Sequence, residues 1–284
     1  MIDVREAVTA IMGTAVADVT PLSGGCIGQV YRLRLTTGET VVAKVDESTT
    51  PRLSIEAYML RYLATHSQLP VPTVCYDSDR LLILQFLSGH SYFPAGAQAH
   101  AAELLAAWHS VTAPAFGLEQ DTLIGGLMQP NPWTDSWLTF FREHRLLYMA
   151  REALRAGRLP GEFLPRLTQL GDRLSDWLME PERPSLIHGD VWTTNVLARG
   201  NVIIGFVDPA IYYAHPEIEL AFITLFGTFD RAFFARYQEL RPIAPGFTET
   251  RRDLYNLYPL LVHVRLFGGS YVSSVDAILR RFGF

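Results

Sequence analysis

Two carboxylates and an amide stand close together late in the chain. Asp190 lies in the run Leu186-Ile187-His188-Gly189-Asp190-Val191-Trp192-Thr193-Thr194-Asn195, and Asp208 closes the apolar stretch Val202 to Val207 that follows. These residue types at this spacing suit phosphoryl transfer. Asp190 can accept the proton of an attacking hydroxyl, while the Asn195 amide and the Asp208 carboxylate supply oxygens for a Mg2+ ion on nucleotide phosphates. The plainer readings are a loop cap for Asp190 and a solvated strand-end acid for Asp208. Pro209 favours an extended backbone at Asp208, which would aim the carboxylate into a cleft.

Such a centre needs a nucleotide site upstream. Ser23-Gly24-Gly25-Cys26-Ile27-Gly28-Gln29-Val30 has the glycines of a phosphate-cradling loop except the first, which is Ser23. Gly24, Gly25, Cys26, Ile27 and Gly28 would bring backbone amides close to phosphate oxygens, although glycines near a strand also make ordinary hairpins. Val41-Val42-Ala43-Lys44 then reads as a strand ending in lysine. Glu56 sits on a helical segment with apolar residues at Ile55, Met59, Tyr62 and Leu63, so Lys44 and Glu56 resemble the ion pair of kinases. Arg80 to Leu87 reads as a last strand running into Ser88-Gly89, a candidate hinge. Adenine would lie against Gln85-Phe86-Leu87, with backbone groups of Gln85 and Leu87 as partners and Ile83 and Leu197 as apolar walls. A buried strand and turn would look the same.

A chain of 284 residues with 49% hydrophobic content can bury a sizeable core in two lobes. The charge of −5, from 24 basic and 29 acidic residues, shows no basic footprint for nucleic acid. The longest apolar runs fall far short of the roughly 18 to 20 residues that span a bilayer, and Met1-Ile2-Asp3-Val4-Arg5-Glu6 is too charged for a signal peptide. The expectation is a cytoplasmic protein without membrane or nucleic-acid partners. Two cysteines exclude a disulfide framework. Cys75 is expected as a small core residue. Cys26 is either a small side chain tolerated in a turn or a thiolate favoured by amide dipoles and Lys44, in which case peroxide would inhibit through it.

Val30 to Leu35 and Thr40 to Val45 form an expected hairpin around Thr36-Thr37-Gly38-Glu39. From Ala97 the pattern turns helical, and helices are expected over 133–154, 163–178, 217–226, 230–240 and 249–265. The fold class is therefore α+β, with a small antiparallel sheet and one main helix in residues 1–87 and a larger, mainly helical lobe in 88–284.

The motifs together resemble the fructosamine kinase family, within the protein-kinase-like group that includes aminoglycoside and choline kinases. The resemblance rests on Gly24-Gly25-Cys26-Ile27, Gln129-Pro130-Asn131-Pro132-Trp133, His188-Gly189-Asp190-Val191-Trp192, Asp208-Pro209-Ala210-Ile211-Tyr212-Tyr213, Leu225-Phe226-Gly227 and 254–263, across nearly the whole chain. It implies a two-lobed protein-kinase-like fold and ATP-dependent phosphorylation of the sugar of a ketoamine, free or protein-bound, whose phosphorylated adduct then falls away. It also implies acceptor contacts at Gln129, Asn131, Trp133, His263 and Phe267, beside Trp192, whose indole two residues after Asp190 can stack on the apolar side of a sugar. Trp192 could equally be core packing and His263 a hydrogen-bonded core histidine, while His188 reads as a brace. The chain departs from the family at Gln85, at Ala214-His215-Pro216 and at Glu219, all expected to lie outside the phosphate-transfer set.

Two other functions compete. An aminoglycoside or other small-alcohol phosphotransferase needs an acidic pocket, yet beyond Leu220 acids occur only singly at Asp230, Glu239, Glu249, Asp253 and Asp276. A nucleotide-binding pseudokinase scaffold is opposed by the intact set Lys44, Glu56, Asp190, Asn195 and Asp208. The stretch 209–216 is too short for a long phosphorylatable loop, which argues against a protein kinase.

Overall fold

The computed structural model describes residues 2–22 and 28–284. Gly24, Gly25, Cys26 and Ile27, with the phosphate-loop and redox expectations attached to them, lie outside the described residues.

Two short elements precede the first expected strand. Helix α1 (Val4–Met12) begins at Asp3, whose carboxylate accepts the otherwise unpaired N–H groups of Arg5 and Glu6. Strand β1 (Val16–Leu22) follows. Strands β2 (Gln29–Leu35) and β3 (Thr40–Val45) then form the expected hairpin. Helix α2 (Leu53–His66) carries Glu56, and strands β4 (Val74–Asp77) and β5 (Leu81–Gln85) complete an antiparallel sheet in the order β1-β2-β3-β5-β4.

Side chains alternate across this sheet with a period of two, so its two faces bury different sets. Leu33, Val41, Ala43, Val45 and Ile83 pack under Val8 of α1. Val42, Leu82 and Leu84 pack on Leu53, Ala57 and Leu60 of α2. Each fully buried leucine contributes about 1.5–3 kcal/mol. Cys75 is exposed, contrary to expectation. It belongs to the edge strand β4 and falls where the pairing register slips between Val74 and Tyr76, so its side chain turns outward.

The larger lobe opens with α3 (Ala95–Trp108), followed by a hairpin of β6 (Thr122–Ile124) and β7 (Leu127–Gln129). The helix expected from Trp133 starts later, because the chain through Pro130 and Pro132 stays extended until Ser136 caps it by accepting from the Thr139 N–H. It runs as α4 (Trp137–Phe141), one π-helical turn at 142–146, and α5 (Leu147–Arg155). Helix α6 (Phe163–Asp172) is shorter than expected and gives way to a 3-10 turn at Leu174–Asp176.

Two small pairs of strands then set the cleft. Strand β8 (Ser185–Ile187) pairs with β11 (Tyr212–Ala214), and β9 (Val196–Arg199) pairs with β10 (Val202–Phe206). The loop 188–195 and the loop 207–211 therefore face one another. Helices α7 (Glu217–Leu225), α8 (Arg231–Leu240), α9 (Arg252–Phe267) and α10 (Ser270–Arg281) close the lobe around a core that includes Trp108, Trp137, Phe140, Phe206 and Tyr255. No helix among the described residues is long and apolar enough to cross a membrane.

The lobes also touch away from the hinge. The Tyr62 hydroxyl of α2 lies 3.1 Å from the Tyr213 hydroxyl, and the Tyr58 hydroxyl donates to Glu119 at 2.8 Å. These bonds tie α2, and with it Glu56, to the larger lobe.

Candidate active site

Asp190 and Asn195 meet because the chain folds back through a 3-10 turn at Thr193–Asn195. The Asn195 Nδ2 donates to Asp190 Oδ2 at 2.8 Å and to the Asp190 carbonyl at 3.1 Å. Burial pushes the Asp190 carboxyl up to about 8, with the nearby Asp208 charge adding to the rise and the Asn195 bond opposing it.

Gly189 makes that turn possible. Its φ is +82°, and a Cβ there would sit 2.2 Å from the Ala210 carbonyl oxygen. Gly189→Ala should therefore cost about 1–3 kcal/mol of stability and displace Asp190. Thermal melting together with steady-state kinetics checks this, and a variant with wild-type melting and turnover would contradict it.

The turn is held from below by Glu219. Its Oε1 accepts the Gly189 N–H at 2.7 Å, and its Oε2 lies 2.8 Å from His109 Nε2, whose Nδ1 in turn meets the Tyr237 hydroxyl at 2.7 Å. Glu219 lines the cleft as well, and its bonds support the loop that carries Asp190. His188 braces the same loop. Its carbonyl accepts from the Ala210 N–H at 2.7 Å, its Nδ1 accepts from the Asp190 N–H at 3.3 Å, and burial holds its pKa down at about 4, leaving the ring neutral.

Lys44 reaches both acids, with Nζ 2.6 Å from Glu56 Oε1 and in direct contact with Asp208 Oδ1. Burial alone would lower the lysine pKa, but Asp208 and then Glu56 outweigh it and hold the ammonium firmly charged. Asp208 itself takes a φ of +54°, not the extended backbone expected before Pro209. The clash with a following proline disfavours the right-handed helical region, and aspartate tolerates the left-handed one better than most residues.

The oxygens left over suit a hard divalent cation. Among the described residues Asp208 Oδ2 is left open, and Asn195 Oδ1 receives only a long 3.4 Å contact from Thr194. Among the described residues no cluster of three His, Cys, Asp or Glu could hold a metal, so an ion at this amide and carboxylate would draw its other ligands from water and phosphate oxygens, as Mg2+ commonly does.

The adenine expectations need correction. Ile83 is fully buried beneath α1 and paired with Ala43, on the sheet face opposite Lys44, so it is no wall of the cleft. Val42 and Leu84 share the Lys44 side. The Gln85 N–H donates to the Thr73 carbonyl at 2.9 Å, so that donor is taken, while the Leu87 carbonyl accepts from Gly89 at 3.0 Å and keeps its second lone pair. Phe86 follows β5 half-buried, with the Arg32 guanidinium 5.9 Å from its ring. Leu87 packs on Gly205, and Leu197 lies beside Gly89, which places both at the hinge. Gly28, at φ +64°, abuts the Val45 carbonyl so closely that no Cβ fits.

Three of the expected acceptor residues line the cleft: Trp192, His263 and Phe267. Three do not. Gln129 is buried, donates to the Thr122 hydroxyl and the Ala210 carbonyl, and accepts from Tyr258. Asn131 is buried between the Gln120 carbonyl, Thr122 and Arg145. Trp133 is 48% exposed and packs beside Tyr213. The hydrogen bonds of Gln129 and Asn131 hold the β6–β7 hairpin and the loop after Asp208. Conversely, Leu123, Ile124 and Gly125 of that hairpin, with Phe222 and Tyr258, line the cleft and were not anticipated. Gly125-Gly126 between apolar residues was the available signal, a tight hairpin turn.

Comparison with known proteins agrees with this architecture. The family model described as fructosamine kinase matches residues 3–282. A "probable ketoamine kinase" from Synechocystis sp. is 37% identical over 92% of this chain and 88% of its own length. The crystal structure of a "putative fructosamine-3-kinase" from Thermobifida fusca superposes with a TM-score of 0.87 at 32% identity, covering 98% of this chain and 97% of that one. An aminoglycoside phosphotransferase in complex with ADP and hygromycin B superposes at 0.71 over the full length of both chains with 18% identity, a likeness of fold alone.

Proposed function

The chain belongs to the fructosamine kinase family and is a phosphotransferase with a hydroxyl acceptor, and from that premise we propose that it transfers the γ-phosphoryl group of ATP to a sugar hydroxyl of a ketoamine. One observation carries the reading. Asp190, Asn195, Asp208, Lys44 and Glu56, drawn from both lobes, open onto a single cleft with an aromatic far end.

Asp190 orients the acceptor hydroxyl and takes its proton, with Asn195 fixing the carboxylate through its amide N–H. Lys44, kept charged and aimed by Glu56, pairs with nucleotide phosphates. Asn195 Oδ1 and Asp208 would hold Mg2+, which when bound neutralises developing charge on the transferred group. Adenine lies at the junction near residue 87, beside Leu87 and Leu197. Trp192 and Phe267 flank the acceptor, whose phosphorylated adduct then breaks down, so that the reaction serves deglycation of free amines or of proteins in the cytoplasm.

A parallel assay with Mg-ATP and a ribulosamine, a fructosamine and kanamycin tests this, with mass spectrometry of the products. A phosphorylated ketoamine and unchanged kanamycin are expected. Turnover of kanamycin alone would overturn the reading.

A further inference from the structure

Past Asp190 the cleft changes character. The acids that line it are Glu56, Asp190, Asp208 and Glu219. Glu56 and Asp208 are engaged with Lys44, and Glu219 is spent on Gly189 and His109. Lys44 is the only lysine or arginine among the described lining residues, and it stands at the phosphate end. Toward α9 the wall is Trp192, Phe222, Tyr258, Val262, His263 and Phe267.

The rings there are continuous. Phe226 lies 5.9 Å from Trp192 and 4.9 Å from His263, and His263 lies 5.8 Å from Phe267 and 4.9 Å from Tyr271. His263 adds no charge. Its Nδ1 is 2.8 Å from the Pro259 carbonyl, which can only accept, so Nδ1 carries the proton and Nε2 keeps a lone pair. Burial holds its pKa below the ordinary value, which favours this neutral form.

Resting on the ketoamine reading above, we infer that this end of the cleft is an uncharged aromatic socket for the substituent on the acceptor's nitrogen. The protonated amine lies against aromatic faces, which attract cations, and an apolar or aromatic substituent packs beyond it. A carboxylate on the carbon next to that nitrogen would be desolvated among lining residues that, where described, offer no cation at this end. The enzyme therefore prefers adducts of simple or aromatic amines, and of amines whose carboxylate is remote, over adducts of α-amino groups of free amino acids.

Two ketoamines of one sugar, made from benzylamine and from phenylglycine, differ by a single carboxylate and form the test. Wild-type enzyme should show kcat/KM at least about tenfold higher for the benzylamine adduct, mostly through KM, a difference of about 1.4 kcal/mol. Phe267→Arg places a cation at the rim, where the side chain is already 55% exposed, and should raise kcat/KM for the phenylglycine adduct severalfold and narrow the ratio. Phe267→Lys is the second variant should the first fail to fold. Equal kcat/KM for the two adducts in wild type, or a ratio unmoved in a folded variant, overturns the socket while leaving ketoamine phosphorylation intact. No turnover of either adduct removes the ketoamine reading and the socket together.

Discussion

Asp190→Asn should lower kcat by about 10² to 10⁴, the usual cost of removing a positioned base, while nucleotide affinity stays close to wild type. The substitution preserves shape. An asparagine oxygen can still accept from Asn195 Nδ2, which lies 2.8 Å from Asp190 Oδ2, so the 3-10 turn and the Asn195 side chain keep their places. What disappears is the basic oxygen.

The folded-state pKa of Asp190 supplies a second, independent readout. Burial first, and Asp208 second, raise it to about 8. A carboxylate whose folded pKa exceeds its unfolded value costs stability once it ionises, between the unfolded value near 4 and the folded one. An uncharged amide avoids that cost. The melting temperature of Asp190→Asn at pH 7 should therefore match or exceed that of wild type even as turnover collapses. A large drop in melting temperature would mean that lost activity reflects lost structure, and unchanged turnover would remove Asp190 from its role.

Asp208→Ala should leave no measurable turnover at any practical magnesium concentration. Three effects coincide at this residue. The variant loses a cation ligand whose contribution to charge stabilisation is several kcal/mol, on the order of 10³ in rate or more. It releases Lys44, which would then be held by Glu56 alone. It also places alanine at φ +54°, where aspartate is better tolerated. Titration of ATP with and without Mg2+ separates the first effect from the others, because wild type should bind more tightly with the ion and the variant should show little difference. Asp208→Asn retains an oxygen and the tolerance for left-handed backbone, so it should melt closer to wild type than the alanine variant while remaining severely impaired. Appreciable turnover by Asp208→Ala would contradict the metal assignment.

The relation between sequence and site is clearest at particular residues. Val41 to Lys44 is legible as a strand and the segment of Ile55, Glu56, Met59, Tyr62 and Leu63 as helical, because local periodicity reports which residues can share a face. Which apolar residues share the Lys44 face was not legible. Ile83 and Leu84 are both apolar, yet one lies under α1 and the other on the α2 side with Lys44, a difference of a single step in the pleat. Gln129 and Asn131 illustrate the converse. Polar residues in a motif can bind substrate or satisfy buried polar groups, and only the positions of the Ala210 and Gln120 carbonyls, Thr122 and Arg145 show that these two do the latter. Glu219 looked peripheral because its partners, Gly189 and His109, are distant in sequence.

By itself, the sequence determined the candidate reacting groups and most of the element order. Asp190 and Asn195 are close along the chain, glycines and prolines punctuate it, and such short-range features are fixed by local sterics and hydrogen bonding. Tertiary structure alone decided what joins across long separations: the contact of Lys44 with Asp208, the anchoring of Gly189 by Glu219, the left-handed backbone at Asp208, and the ring wall around His263. These depend on which elements pack together, and packing is set by the burial of the whole chain and not by any one segment.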